Sequence, residues 1–147
     1  MRLRRQHIVR FAIAIVLAIL LIGLWLAYVG VSTSLRAECA LHANCLVIEL
    51  ITEYAANNNG AWPRSWHDLE MLPSRQHAMF QWPADREKVE QYVLVDFEAD
   101  PDKLAMESVE NFKAVKPIGP YYSYDNEIEH LLHVIQQTRK ASSHSSQ

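Results

Sequence analysis

Residues 11–31 read FAIAIVLAILLIGLWLAYVGV, a run of twenty-one uncharged and mostly apolar residues. As an α-helix this run is about 31 Å long at about 1.5 Å per residue, which matches a bilayer core of about 30 Å. A helix is the only single segment that satisfies all of its own backbone hydrogen bonds inside lipid. The run therefore predicts a membrane-spanning helix that anchors the rest of the chain.

Three alternatives fit the run less well. A cleaved signal peptide has an apolar region of about 7–15 residues before a small-residue cleavage site, whereas Leu35 stands two residues before Ala37 here. A lipoprotein would use Cys39, which lies far beyond the run and follows Glu38. A core helix of a soluble protein is rarely apolar on all sides for about six turns. We therefore expect an uncleaved anchor.

Arginines flank the N-terminal end of the run, and this bias sets its orientation. Four of them, with no acidic residue, lie among the first ten positions: Arg2, Arg4, Arg5 and Arg10. Beyond the run the nearest basic residue is Arg36. Because cytoplasmic flanks carry the excess of Lys and Arg, we expect a single-pass protein of a bacterial inner membrane. Its N-terminus is cytoplasmic and the rest of the chain is extracytoplasmic.

The segment after the run is acidic and long enough for one small domain. Of the fourteen basic residues in the chain, ten lie after the run together with all seventeen acidic residues, a formal net charge of −7. This balance disfavours nucleic acid and anionic lipid surfaces as partners. We expect a cytoplasmic segment over 1–10, a transmembrane helix over 11–31, an extracytoplasmic domain over 32–140 and a disordered tail over 141–147.

The apolar run continues into an amphipathic stretch. From Ser34 to Ala56 apolar side chains recur at three- and four-residue steps, as on one face of a helix. No proline or glycine lies between Val31 and Asn59, so the span and the amphipathic stretch are predicted to form one helix of about 45 residues. The sequence from Asn57 to Gly60 ends it, because Asn and Gly accept the left-handed conformation that closes helices.

Short helices and strands are predicted after the long helix. They comprise a helix over 66–72 capped by Ser65 and Asp68, helical turns within 84–90 and 98–106, strands over 91–97, 110–116 and 121–124, and a helix over 126–140 capped by Asp125. The fold class is therefore α+β, with the long N-terminal helix packed on a small antiparallel sheet of two to four strands and followed by a C-terminal helix. Trp62, Trp66 and Leu69 are spaced to pack on the long helix as core.

The end of the long helix and the loop after it, YAANNNGAWPRSWHDLE (54–70), carry a family pattern. A Tyr-Ala helix end, an Asn/Gly break, an aromatic-Pro step and a Ser-capped short helix occur at Tyr54, Ala55, Asn59, Gly60, Trp62, Pro63, Ser65, Asp68 and Leu69. Over about residues 8–72 the chain resembles type IV pilins and type II secretion pseudopilins. The resemblance implies a helical spine packed on a small antiparallel sheet, a pilin-like fold.

The chain departs from that family at its start. A pilin precursor has Gly or Ala, then Phe or Met, then Thr-Leu-Ile-Glu after a basic leader. Here Gln6-His7-Ile8-Val9-Arg10-Phe11 follows the first arginines, and residues 11–31 contain no Glu. The prepilin peptidase motif and the acidic residue that aids assembly are both absent. We therefore expect a pilin-shaped relative kept as a membrane-anchored monomer or minor partner.

Two groups of candidate metal ligands stand out in the sequence. One acidic segment is spaced like a calcium loop: Asp96, Glu98, Asp100 and Glu107. Calcium prefers several oxygens from one loop, but Pro101 stands where that loop needs glycine for its turn. His130 and His133 are placed on one face of the last helix, with no evident third ligand for a metal ion. A solvated acidic turn and structural histidines are the simpler interpretations.

No motif indicates an enzyme. The four glycines form no nucleophile elbow, phosphate-binding loop or dinucleotide fingerprint. Cys39 and Cys45 lie six residues apart on the predicted helix, or about 9 Å, which is too far for a disulfide. They are expected to act as small apolar side chains. We expect no catalytic residue and no cofactor.

The function expected from the sequence is that of a single-pass, pilin- or pseudopilin-like protein. It would act through protein–protein contacts in a cell-envelope assembly or secretion apparatus, with the lipid bilayer and other envelope proteins as partners. The alternative is a membrane-tethered extracytoplasmic domain that binds a small ligand or calcium through the acidic segment, Trp62 and Trp82. A concave pocket lined by those residues would favour the alternative, and a filled aromatic core would favour the first function.

Overall fold

The computed structural model describes the backbone of residues 2–119 and 124–144, and the side chains of residues 15–119 and 124–141. The chain divides into two units, Met1–Leu35 and Arg36–Gln147. Its elements are α1 (Arg2–Asn57), α2 (Trp66–Glu70), β1 (Arg75–His77), β2 (Phe80–Trp82), α3 (Arg86–Glu90), β3 (Val93–Val95), α4 (Pro101–Leu104), a 3₁₀ turn (Val109–Asn111), β4 (Val115–Pro117) and α5 (Asp125–His144). The predicted α+β class, with a long N-terminal helix and a C-terminal helix, is confirmed.

Helix α1 contains both the apolar run and the amphipathic stretch, as the sequence predicts. It ends where Asn59 and Gly60 take positive φ angles of 55° and 77°. The Gly60 N–H donates to the Ala55 carbonyl, five residues earlier, over 2.8 Å. This is the 6→1 hydrogen bond of a Schellman cap. A Cβ at position 60 would also lie 2.7 Å from Arg139 Cγ on α5. Glycine is therefore required both by the backbone and by the packing.

The hydrophobic core surrounds the part of α1 from Ala43 to Ala55. Side chains from this segment form one cluster with buried residues of α2 to α5 and of β2 to β4. The apolar face predicted for the C-terminal helix is buried in it: Ile128, Leu131, Leu132 and Ile135. Asn44 is a fully buried polar side chain whose Nδ2 donates to the Ala40 carbonyl over 2.7 Å, while its Oδ1 has no hydrogen-bond partner.

A β-hairpin that the sequence did not predict follows α2. Strands β1 and β2 pair antiparallel, with His77 opposite Phe80. The two-residue connection holds Ala78 at a φ of 50°, in the left-handed region that favours glycine. The peptide bond between Trp82 and Pro83 is cis. Strands of three residues are too short for apolar alternation to reveal them, and so the hairpin left no clear signal.

The second two-stranded sheet pairs β3 with β4 antiparallel, with Val95 opposite Val115. Strand β3 lies within the predicted strand over 91–97 but is shorter. The prediction of a strand over 110–116 is wrong for most of its length, because Glu110 and Asn111 belong to the 3₁₀ turn and β4 begins only at Val115. Phe112 and Ala114 are buried at alternate positions, which produced the strand-like pattern. Neither belongs to β4, although the Ala114 carbonyl accepts from the Asp96 N–H over 2.8 Å. Residues 121–123 of the third predicted strand lie outside the described residues.

The helix ends partly follow the predictions. Helix α2 stops at Glu70 rather than at residue 72. Ser65 has the extended backbone of an N-cap, but its side chain makes no capping hydrogen bond, and Asp68 Oδ2 instead accepts from the Arg64 N–H over 2.7 Å. Helix α5 begins at Asp125 and runs four residues past Lys140, into the segment predicted as a disordered tail.

Candidate functional site

The apolar run of α1 exposes its side chains on every side. Each large apolar side chain described between Ile15 and Val31 is exposed, from 39% at Val29 to 72% at Tyr28. Apolar surface on this scale is typical of a membrane or an interaction site. Among the described residues, α1 is the helix long and apolar enough to cross a membrane, a test that a signal sequence near an N-terminus also passes.

The acidic residues predicted as a calcium loop line one open cavity of about 630 Å³: Asp96, Glu98, Asp100 and Glu107. Strands β3 and β4 and helix α4 form its walls. Asp96 accepts a hydrogen bond from the Glu98 N–H over 3.0 Å, and Asp100 caps α4 by accepting from the Asp102 N–H over 2.9 Å. The Oε2 atom of Glu107 is buried without a hydrogen-bond partner.

The charge balance of this cavity does not favour a cation. Lys103, Lys113 and Lys116 line it together with the four acidic residues. In residues 15–119 and 124–141, no three His, Cys, Asp or Glu side chains come together in an arrangement that holds a metal ion. Calcium takes six to eight oxygens. The predicted residues are therefore brought together without forming a ready coordination shell.

The histidines of α5 line a second cavity. It has a volume of about 670 Å³, and its lining includes Glu107, Glu129, His130 and His133. The Nε2 atom of His133 lies 3.2 Å from the Gln137 amide nitrogen, one turn further along the helix. The two histidines thus share a surface as predicted, and the described residues add no third ligand at metal-binding distance.

Two of the tryptophans after the apolar run are buried in the core. Trp82 is fully buried, and its indole N–H donates to the Leu69 carbonyl over 3.0 Å. Trp62 is 5% exposed, and its indole N–H donates to the Asp96 carbonyl over 2.7 Å. Trp66 is half-buried, with its ring centroid 6.2 Å from that of Trp82. Trp62 and Trp82 therefore belong to an aromatic core, and Trp62 also lines an open cavity of about 770 Å³ together with Glu98 and Asp100.

One edge of α1 makes a series of polar and sulfur contacts with the β1–β2 hairpin. Three pairs follow one another along the helix: Arg75 with Glu53, His77 with Glu49, and Met79 with Cys39. Arg75 and His77 alternate as a strand requires, and Glu49 and Glu53 lie about one helical turn apart. Met79 lies in the hairpin turn and Cys39 stands ten residues before Glu49, so no common period in the sequence indicates all three contacts.

The two cysteines are free, as predicted, and Cys45 is not poised as a nucleophile. Burial, with smaller contributions from the Glu127 and Glu49 carboxylates, raises the pKa of the Cys45 thiol to about 11. The thiolate is the reactive form of cysteine, and at neutral pH almost none is present at such a pKa. Cys45 therefore packs against the core and is not activated as a nucleophile.

Comparison with known proteins finds no match to this chain. No protein-family model matches the chain, and neither a curated protein nor a solved structure matches it. What the chain does must therefore be inferred from its own residues and their geometry.

Proposed function

We propose that the chain is a single-pass membrane protein whose pilin-like extracytoplasmic domain acts through protein–protein contacts. The setting would be a cell-envelope assembly or secretion apparatus. One observation carries the anchoring: thirteen large apolar side chains between Ile15 and Val31 are exposed. Burying a side chain of this kind is worth about 1.5–3 kcal/mol, so transfer of the whole segment into lipid gains tens of kcal/mol.

The charges around the segment support its orientation. Four arginines precede it and no acidic residue does. Trp25 and Tyr28, near its other end, are 64% and 72% exposed, as suits aromatic rings at a membrane interface. A cytoplasmic N-terminus and an extracytoplasmic domain follow from the excess of arginine.

The pilin-like part of the proposal is supported by the segment that carries the resemblance. Gly60 closes α1 with a positive φ, and Leu69 and Trp62 are buried in the core beside it. The core is assembled around α1. These are the features expected of a helical spine that carries a small domain.

Exposed apolar side chains on the β3–β4 sheet support the proposed partner contacts. Leu94 is 59% exposed and lies opposite Lys116, and Ile118, two residues further on, is 48% exposed. Opposite residues in an antiparallel pair project from the same face, so Leu94 and Ile118 form an exposed apolar patch. Such a patch beside lysines suits another envelope protein with apolar and acidic groups.

Site-specific photocrosslinking in intact cells tests this contact. A photoreactive amino acid at Leu94 should give a crosslinked product with an integral envelope protein. The same amino acid at Glu87, an exposed position on α3, should give little. Equal crosslinking from the two positions, or none from Leu94, would count against a specific contact at this patch.

The calcium-binding alternative is favoured by one observation, the convergence of four carboxylates on a single cavity. Titration of the full chain in detergent micelles with CaCl₂ separates the two functions. Saturable heat that disappears in the Asp96→Asn, Glu107→Gln double variant would support a calcium domain. The absence of heat is expected, because three lysine side chains share the cavity.

A further inference from the structure

Two sulfur atoms meet where the β1–β2 hairpin contacts α1. The Cys39 Sγ lies 3.3 Å from the Met79 Sδ, although the two residues are forty positions apart in the sequence. Cys39 is partly exposed, and Met79 is 50% exposed at the hairpin turn. The pair is therefore accessible to a small solute.

Two histidines are close to the sulfur pair in the sequence. His42 follows Cys39 by three residues on α1, and His77, the last residue of β1, precedes Met79 by two residues. The centroids of the two rings are 5.8 Å apart, and His77 Nδ1 lies 3.3 Å from Glu49 Oε2. The Cys39–Met79 contact thus has a histidine pair next to it along both elements.

We propose that Cys39 and Met79 bind Cu(I) as a two-sulfur site. Thiolate and thioether are soft ligands that select Cu(I), and imidazole also suits copper. Zinc sites, in contrast, use four ligands drawn from thiolate, imidazole and carboxylate. The described residues offer no three such groups in one place, and Met79 adds only a thioether.

The geometry requires an adjustment. Two metal–sulfur bonds of about 2.3 Å with the sulfurs 3.3 Å apart would give an S–Cu–S angle near 90°. Cu(I) with two ligands is close to linear, which needs the sulfurs about 4.6 Å apart, a shift of roughly 1.3 Å. Met79 can make this shift because its side chain is unbranched, flexible and half exposed.

Binding of Cu(I) changes only the protonation of the Cys39 thiol. The Cys39 S–H bond breaks, its proton passes to water, and a sulfur–copper bond forms with the thiolate. The Met79 sulfur donates a lone pair and loses nothing. Copper enters and stays as Cu(I). The inference is independent of the proposed membrane function, since it rests on contacts within the Arg36–Gln147 unit.

Anaerobic titration of the full chain in detergent micelles with Cu(I), in competition with a chromophoric Cu(I) chelator, tests the site. The expected result is one Cu(I) bound per chain. Cys39→Ser and Met79→Leu should each weaken binding by more than about tenfold. Cys45→Ser is the matched control and should bind as the wild type does. Circular dichroism melting of each variant verifies folding, and both changes keep side-chain size at partly exposed positions.

Two results would overturn the proposal. Wild-type affinity in Cys39→Ser or in Met79→Leu would show that copper sits elsewhere, as would an equal loss in Cys45→Ser. X-ray absorption at the copper edge gives an independent readout that survives an unstable variant. Two sulfur neighbours at about 2.3 Å support the site, and a shell of nitrogen or oxygen alone excludes it.

Discussion

Replacing Trp82 by alanine removes the largest fully buried side chain described in the domain. A Trp→Ala change in a core costs about 3–5 kcal/mol. It also removes the indole N–H that donates to the Leu69 carbonyl over 3.0 Å, although this carbonyl still accepts from the Leu72 N–H over 3.2 Å. The expected loss is therefore about 3–5 kcal/mol, a large part of the whole stability of a small domain.

Two matched variants separate the contributions. Trp82→Phe keeps most of the apolar volume and loses the N–H donor, so it should cost about 1–3 kcal/mol. Trp66→Ala removes a ring that is only half-buried, and it should cost less than Trp82→Ala, about 1–3 kcal/mol. The sequence alone predicts Trp62 and Trp66 as core. The structure buries Trp62 and Trp82 and leaves Trp66 half-buried against that core.

Guanidinium unfolding of the full chain in micelles, followed by circular dichroism, measures these losses. The predicted order of destabilisation places Trp82→Ala well above both Trp82→Phe and Trp66→Ala. A loss below about 1 kcal/mol for Trp82→Ala would refute the packing described around α2 and β2. So would a larger loss for Trp66→Ala than for Trp82→Ala.

Three further predictions follow from local features. Asn44→Leu should stabilise the domain by about 1–3 kcal/mol, because it removes a buried oxygen without a partner; a lower melting temperature would show that this oxygen is hydrogen-bonded. Ala78→Gly should stabilise it by about 0.5 kcal/mol by relieving the φ of 50°, and a clear loss in thermal melts would contradict that backbone. Iodoacetamide modification of Cys45 in a Cys39→Ser background should accelerate about tenfold per pH unit up to a pKa of about 11, and a rate that levels off near pH 8.5 would contradict the raised pKa.

The long, periodic parts of the fold were predictable from the sequence. The apolar run and the amphipathic stretch extend over many turns, so the helical period is unmistakable in α1. The end of helix α1 is closed by Gly60, which takes a positive φ angle that few other residues adopt. The buried face of α5 follows from the same period, as Leu131 and Ile135 show.

The short parts were not predictable, because their structure comes from partners far away in sequence. Strands β1 and β2 contain three residues each, and β1 contacts α1 through pairs such as Arg75 with Glu53. The position of β4 is set by its pairing with β3, whereas the alternation of apolar residues began earlier, near Phe112. The local pattern of apolar residues indicates which residues are buried. Which of them pair in a sheet depends on contacts with strands that are distant in sequence.

The candidate sites show the same division. Sequence spacing grouped the acidic residues from Asp96 to Glu107, and they do share a cavity. The opposing Lys116 reaches that cavity through the β3–β4 pairing, and Lys113 lies two residues before β4; spacing along the chain reveals neither. Likewise, the Cys39–Met79 contact joins two elements forty positions apart.

Alkaline carbonate extraction of membranes from cells that express the full chain tests the central claim most directly. Carbonate strips peripheral proteins and leaves spanning segments in the bilayer. We predict that the chain stays in the pellet, is released only by detergent, and keeps residues 11–31 when its mass is measured. A chain recovered from the soluble fraction, or one that lacks this N-terminal segment, would contradict the membrane anchor and the function proposed from it.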